Sequence, residues 1–190
     1  MSKKSPHSTP DSVHSERLPV NPRAEDAARS VFVALGSNEG DSTAHLTQAR
    51  LFLQEISSSP IRTSRVYQTE PIGPSDNDFL NAVIHIDWEG SPGALLDRLK
   101  EQERIQGRPS RYPKWTSRTL DLDIIDFGGL ILNNDRLQLP HPAAAERLFV
   151  LLPLYDLAPE WYEPVTKKAI SELIHQAPEM RIEVGAWQWE

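Results

Sequence analysis

Phe79-Leu80-Asn81-Ala82-Val83-Ile84-His85-Ile86-Asp87-Trp88 is the stretch on which the fold turns. It reads as one strand, with Leu80, Ala82, Ile84 and Ile86 on one face and Phe79, Asn81, Val83 and His85 on the other. Ser91-Pro92 then opens a helix that runs to about Gln106, with Leu95, Leu96, Leu99 and Glu103 along it. Upstream, Val31-Phe-Val-Ala-Leu35 is a buried-strand run ending in Gly36-Ser37-Asn38. Residues 40–57 carry Leu46, Ala49, Leu53 and Ile56 at helical spacing, and Asp41 or Ser42 can cap them. Ile61 to Tyr67 reads as a strand, and Thr69 to Asn77 as a loop of Pro, Gly and Asp. Downstream, Gly107, Pro109 and Pro113 keep the next segment a loop, and Thr119 to Phe127 is a strand. The order β-α-β-β-α-β predicts an α/β (α+β) ferredoxin-like antiparallel sheet with helices packed on it, plus C-terminal additions. Those additions are a short strand pair around Asn133-Asn134, a helix over about 143–151 after Pro140-His141-Pro142, and a short helix from a Thr166 cap to His175.

The 190 residues fit one domain, 30–178, between a disordered N-terminal tail, 1–29, and a C-terminal tail, 179–190. Apolar residues are 38% of the chain, enough for a core of its own. With no cysteine, disulfide scaffolds, thiolate zinc sites, iron–sulfur clusters and Cys nucleophiles are excluded. The longest uninterrupted apolar run, Leu148 to Leu152, is too short to span a bilayer, and no secretory h-region opens the chain. A cytoplasmic protein, without membrane association and monomeric, is expected. Net charge is −7, which argues against bulk nucleic-acid binding. Yet five cations, Arg104, Arg108, Arg111, Lys114 and Arg118, occur between residues 104 and 118 with no acidic residue among them. An acidic chain that concentrates cations in one loop is built to hold an anion there.

That loop runs into Arg118-Thr-Leu-Asp-Leu-Asp-Ile124. On a strand Asp121 and Asp123 share a face, about 7 Å apart at their Cα atoms, while Leu120, Leu122 and Ile124 point into the core. Two fixed anions repel and need a cation, and an all-oxygen donor set points to Mg²⁺. The same pattern also fits an exposed strand with two solvated aspartates. The neighbouring Arg108, Arg111, Lys114 and Arg118 favour the first reading, a polyphosphate held between metal and guanidinium groups. Gly36-Ser-Asn-Glu-Gly40-Asp-Ser-Thr43 is not a Walker A loop: three residues separate the glycines and Asp41 stands where Lys is required.

A second subsite is suggested by Phe79 and Asn81, a ring and an amide side by side on one strand face. An amide both donates and accepts, so it can read the edge of a planar heterocycle, with Phe149 as an opposite ring face. Each of these residues is also common in cores and turns. His141, between two prolines, suits either donation to a phosphate or capping of a turn.

With these residues in register, the chain over about 31–176 resembles the 6-hydroxymethyl-7,8-dihydropterin pyrophosphokinase family of folate biosynthesis. The landmarks are Ala34-Leu-Gly-Ser-Asn38, Tyr67-Gln-Thr-Glu-Pro-Ile-Gly-Pro74, Phe79-Leu-Asn81, Glu103 with Gly107-Arg108, Arg118-Thr-Leu-Asp-Leu-Asp-Ile124, and Leu139-Pro-His-Pro142 with Arg147 and Phe149. The resemblance implies transfer of the β,γ-pyrophosphoryl group of ATP to the pterin hydroxymethyl oxygen, with AMP released. It implies that Asp121 and Asp123 ligate two Mg²⁺ ions and that Arg108 and Arg118 hold the phosphates. It makes Glu103, Ile124, Arg136, His141 and Arg147 nucleotide contacts, alongside Arg111 and Lys114 of the basic loop. Thr69, Glu70 and Ile72 would line the pterin site mainly through backbone, Asn81 would read the pterin edge, Phe79 and Phe149 would stack on it, and Trp115 would sit on a loop that closes over it. The chain departs from the family pattern at Lys100, at Pro109-Ser110, at Lys114 and at Thr116. A Lys neutralises phosphate without gripping it bidentately. Two other classes fit parts of the pattern: a single-stranded RNA-binding module using loop 104–118 with Tyr112 and Trp115, or a catalytically silent nucleotide- or pterin-binding protein.

Overall fold

A computed structural model of the chain describes residues 28–71, 76–108 and 118–189. The N-terminal segment to residue 27, Ile72, Arg111, Lys114 and Trp115 lie outside the described residues. In chain order the elements are β1 (Arg29–Ser37), α1 (Ser42–Ile56), β2 (Arg62–Thr63), β3 (Tyr67–Thr69), β4 (Phe79–Trp88), α2 (Pro92–Ile105), β5 (Asp121–Phe127), β6 (Leu132–Asn133), β7 (Gln138–Leu139), a 3₁₀ turn (Ala144–Glu146), α3 (Leu148–Leu157), α4 (Ile170–Gln176) and β8 (Ile182–Val184). The main sheet runs β5-β1-β4-β3-β8, with β2 also on β4, and every pairing is antiparallel. Among the six expected elements this is the strand order fourth-first-third-second of a ferredoxin-like sheet.

Both faces of the sheet are covered. On one, Val31, Val33, Leu35, Ile84, Ile86 and Leu122 pack under Leu46 and Leu53 of α1 and Leu95 and Leu99 of α2. On the other, Phe32, Val83 and Ile125 meet Val150, Leu151 and Leu154 of α3, with Trp161, Ile170 and Leu173 beyond. The first two helices start where the sequence places them. Asp41 accepts from the Ala44 N–H at 3.0 Å, and Ser91 accepts from the Ala94 N–H at 3.1 Å with Pro92 opening the helix. α3 is docked by Asp156, which accepts from the Tyr67 hydroxyl and from Arg65. Burial against Asp156 raises the Tyr67 phenol to about 12.

Four expectations are corrected. The strand expected over 61–67 is broken into β2 and β3, because Ser64 Oγ takes the Val83 N–H at 2.9 Å where a main-chain carbonyl would otherwise sit. The helix expected over 143–151 is a 3₁₀ turn followed by α3, which continues past Pro153 to Leu157. Burial of Val150, Leu151, Pro153 and Leu154 outweighs the roughly 3 kcal/mol a helical proline costs. Thr166 does not cap α4. Its N–H goes to the Glu163 carboxylate in a turn, and the helix begins after Ala169 with no side-chain cap. At the termini, β1 begins at Arg29, one residue inside the expected tail, and residues 182–189 are not a tail at all.

That C-terminal segment finishes the sheet. Tyr67 pairs with Val184 and Thr69 with Ile182, and Gly185 donates to Val66 O at 2.8 Å. Gln188 both accepts from Val66 N and donates to Val66 O, at 2.9 and 3.0 Å. Trp189 Nε1 donates to Ser64 O at 2.7 Å, and Trp187 and Trp189 stack edge-on against the first core cluster. At Val66, just before β3, the Gln188 side chain supplies the acceptor and donor that a neighbouring strand would. A chain ending at Pro178 is expected to lose about 2–4 kcal/mol of stability, read as a lower urea midpoint. Leu122→Ala, which empties the first cluster, is expected to cost about 2–5 kcal/mol by the same measurement.

Candidate active site

Three strands carry the site in one row. Gly36 of β1 lies opposite Asp121 of β5 on one side and opposite Asn81 of β4 on the other. Directly paired residues share a face, so Asp121 and Asn81 stand on one face with only a glycine between them, about 10 Å apart at two strand spacings. A Cβ at Gly36 would lie 3.2 Å from Asn81 Oδ1 and 3.8 Å from the Phe79 ring. Glycine therefore keeps the gap between the two subsites clear.

On the Asp121 side, charges are matched closely. Arg108 Nη1 donates to Asp121 Oδ1 at 2.5 Å and Arg118 Nη1 donates to Asp121 Oδ2. Glu103 lies beneath, 3% exposed, accepting from the Leu122 N–H at 2.7 Å and from Lys100 Nζ at 2.8 Å, and forming an ion pair with Arg108 Nη1 at 2.7 Å. Lys100 also donates to Leu122 O at 3.3 Å and lies 3.8 Å from Asp123. The repulsion expected between Asp121 and Asp123 is therefore answered by the chain's own Arg108, Arg118 and Lys100. Burial pushes the Asp121 carboxyl up, but Arg108, Arg118 and Lys100 outweigh it and hold it below its ordinary range. Burial pushes the Glu103 carboxyl up, against the pull of Lys100 and Arg108. Among the described residues, Arg118 Nε is buried with no hydrogen-bond partner.

Beside this cluster opens a cavity of about 570 Å³, within the range of small-molecule sites. Lys100 and Leu96 of α2, Asp123 and Ile124 of β5, the β6–β7 hairpin with Arg136 and Gln138, and His141 line it. Of the residues expected to hold nucleotide, Ile124, Arg136 and His141 meet here with Asp123. Arg136 pairs with Asp97 at 2.6 Å. Glu103 is not in this wall: it anchors Leu122 and the cations behind it. Arg147 begins α3 with its guanidinium over the Phe149 ring, 5.6 Å from the centroid. His141 Nδ1 accepts from the Ala143 N–H at 3.2 Å, so the neutral ring carries its proton on Nε2. His141 thus caps a turn and keeps one donor spare. Burial lowers its pKa, Asp123 opposing and Arg147 assisting.

On the Asn81 side, the amide is 5% exposed and its Nδ2 donates to Thr69 Oγ1 at 2.9 Å. Thr69 was expected to act mainly through backbone; its side chain sets the Asn81 amide. Phe79 lies two residues along the same face, opposite Thr69. Glu70 accepts from the Arg181 N–H at 2.8 Å, and Arg181 grips Asp78 with both Nη atoms, at 3.0 and 2.5 Å. Phe149 sits on the first turn of α3 at the margin of the second core cluster. Sequence reasoning passed over Gly36, Lys100, Gln138 and Arg181 as site residues. Only Lys100 left a usable trace, an i,i+3 partner for Glu103 on the face of α2 turned to β5.

Paired carboxylates and arginines beside a cavity, with an amide and a ring two strands away, are an arrangement suited to an α+β group-transfer enzyme. Residues 32–159 match the family described as 7,8-dihydro-6-hydroxymethylpterin-pyrophosphokinase (HPPK). The 2-amino-4-hydroxy-6-hydroxymethyldihydropteridine pyrophosphokinase of Haemophilus influenzae is 39% identical over 149 residues, 77% of this chain and 92% of that protein. The Pseudomonas aeruginosa protein of the same name is 38% identical over 150 residues, 78% of this chain and 91% of its own. Among solved structures, an HPPK-DHPS in complex with substrates superposes with a TM-score of 0.60 at 15% identity, over 79% of this chain and 43% of that one. Wild-type Plasmodium falciparum HPPK-DHPS gives 0.58 at 16% identity, over 78% and 44%. These superpositions show the same fold, in chains of which this one spans less than half. The chain belongs to the 7,8-dihydro-6-hydroxymethylpterin-pyrophosphokinase family.

A carboxyl held low by folding adds stability that is fully present above its ordinary value of 3.8 and is lost as pH falls through the lowered value. Wild-type stability is therefore expected to fall more steeply below about pH 4 than that of Asp121→Asn. Urea midpoints from neutral to acid pH check this, and parallel curves would dissolve the Asp121 ion pairs as a source of stability.

Proposed function

We infer that the chain transfers the pyrophosphoryl group of ATP to the hydroxymethyl group of 6-hydroxymethyl-7,8-dihydropterin, releasing AMP, a step of folate biosynthesis. Family membership and relatives matched over nine-tenths of their length support the activity. The observation that supports the reading is the row Asp121–Gly36–Asn81, in which the carboxylate of the proposed phosphate subsite and the amide of the proposed heterocycle subsite share one face across a glycine. In this reading the hydroxymethyl oxygen attacks the β-phosphorus, the bond from that phosphorus to the α,β-bridging oxygen breaks, and AMP departs with that oxygen. The hydroxyl proton passes to Asp121 or to water.

Two oxygen-donor carboxylates on one strand face fit Mg²⁺, and no group of three or more metal-ligating side chains occurs among the described residues. Water and phosphate oxygens would complete the coordination around Asp121 and Asp123. Bound there, Mg²⁺ would neutralise charge that develops on the transferring phosphates. Arg108 and Arg118 would grip phosphate oxygens as they release Asp121, and a ligand oxygen would satisfy the buried Arg118 Nε. His141 would donate from Nε2, Ile124 and Arg136 would contact nucleotide in the cavity, and Arg147 would tune His141 from behind. On the other side Asn81 would read the pterin edge, oriented by Thr69, with Phe79 and Phe149 supplying ring faces. Thr69 and Glu70 would border the pterin through backbone. The inward pairing of Arg108 and Arg118 with Asp121 favours this reading over an RNA-binding surface.

Incubation with ATP, Mg²⁺ and the reduced hydroxymethylpterin is expected to yield AMP and not ADP. Asp121→Ala and Asp123→Ala are each expected to cut turnover by about three powers of ten or more while leaving binding of the pterin alone little changed. Near wild-type AMP release by both variants would sink the metal-site reading. Asn81→Ala is expected to weaken pterin binding by about 1–3 kcal/mol with ATP affinity nearly unchanged, measured by titration calorimetry. Equal weakening of both ligands would make Asn81 a structural residue.

A further inference from the structure

Asn38, in the turn that leaves β1, is 3% exposed and belongs to neither ligand subsite. Its backbone N–H donates to Arg118 O at 3.0 Å, and its Oδ1 accepts from the Arg118 N–H at 2.8 Å. One residue therefore holds Arg118 at both main-chain groups, as a strand partner would. Its Nδ2 donates to Asn77 O at 3.2 Å. A backbone N–H can only donate and a carbonyl can only accept, so the two partners fix the orientation of the amide without ambiguity. Arg118 projects its guanidinium onto Asp121, and Asn77 lies two residues before Phe79 and four before Asn81. A serine is too short to span both backbones, and an aspartate has no donor for Asn77.

We propose that Asn38 is a positioning residue that ties the two halves of the site together, holding the backbone that aims Arg118 at the phosphate side and the backbone that leads into Phe79 and Asn81 on the pterin side. The proposal rests on the pyrophosphokinase reading for its kinetic consequences, and on geometry alone for the tether itself. Loss of a buried, oriented hydrogen-bond pair misplaces Arg118 relative to the transferring group, and small misplacements cost rate. Loss of the Asn77 link loosens the pterin-side strand and acts on pterin affinity.

The test compares wild type, Asn38→Ala and Asn38→Asp, with melting curves establishing that each is folded at the assay temperature. Asn38→Ala is expected to lower kcat by about tenfold or more and to raise the KM for pterin. Asn38→Asp keeps an acceptor for the Arg118 N–H but sets a carboxylate against Asn77 O. It is expected to restore kcat to within about threefold of wild type while the pterin KM stays raised. Unchanged kinetics in folded Asn38→Ala, or equal loss of both parameters in the two variants, overturns the proposal. Should Asn38→Ala not fold, a raised pterin KM with kcat retained in Asn38→Asp supports the tether, and an unchanged KM overturns it. Amide hydrogen exchange at Arg118 reads the tether without turnover: faster exchange in Asn38→Ala than in wild type and Asn38→Asp supports it, and equal protection in all three overturns it. Absence of AMP formation by wild type would overturn the pyrophosphokinase reading alone, leaving the exchange experiment to decide the tether.

Discussion

Strand β1 is hydrogen-bonded along both edges, to β4 and to β5, and the register of those two ladders determines everything chemical in the molecule. A slip of one residue on either side would turn Asp121 and Asp123, or Phe79 and Asn81, from the ligand face to the core face. The apolar pattern opposes the slip, because Leu122 and Ile124 of β5, or Ile84 and Ile86 of β4, would leave the first core cluster. Hydrophobic burial under α1 and α2 thus aims polar groups that α1 and α2 never cover. Gly36 is where the constraint becomes a site. It is the position in the row where a side chain would crowd its neighbour, since Asn81 Oδ1 stands 3.2 Å from where a Cβ would be.

The charge cluster obeys a second constraint. Asp121, Asp123 and Glu103 face Lys100, Arg108 and Arg118, so the unliganded site carries its counterions within its own wall. Burying Glu103 is costly unless its partners are good, and here a backbone N–H and two cations supply them. That carboxylate binds the end of α2 to Leu122 of β5, fixing the strand between the two aspartates. An arriving polyphosphate would compete with Asp121 for Arg108 and Arg118, and Asp121 would in turn need a new counterion. In the proposed reaction the residues that now neutralise Asp121 would turn to phosphate, and a divalent cation would take their place.

Strand alternation over Phe79–Trp88 and the β-α-β-β-α-β order were legible because burial on a sheet leaves a period-two record and helix caps leave short local signals. So was the shared face of Asp121 and Asp123, which follows from strand geometry alone. What was not legible depended on distant partners. The break at Ser64 comes from a side-chain bond to Val83, nineteen residues away, and the run of α3 through Pro153 comes from packing on β4. The segment 182–189 looked like a tail because three strand residues and two tryptophans have no period of their own; Val66, Tyr67 and Ser64 give them their places. Glu103 was legible as important and not as an anchor, since nothing local says that its carboxylate meets the Leu122 amide.

The two subsites are supported from opposite edges of the sheet, and the supports differ in kind. The Asp121 side is backed by α2 through Glu103, a buried charge met by a backbone N–H and two cations. The Asn81 side is backed by the C-terminal strand, where Arg181 holds Glu70 through its backbone and Asp78 through its guanidinium, and Gln68 also donates to Asp78 at 2.8 Å. Arg181 is half exposed, so its bidentate pair with Asp78 is a weak restraint in water and a screened one in salt. Its value lies in placement: it touches both ends of the stretch from Glu70 to Asp78, which leads out of β3 and back into β4. An Asp121 side braced by a buried charge and an Asn81 side bordered by an exposed ion pair would suit the proposed reaction, in which one small heterocycle is admitted, held against a row of charges, and let go after it has gained a pyrophosphate.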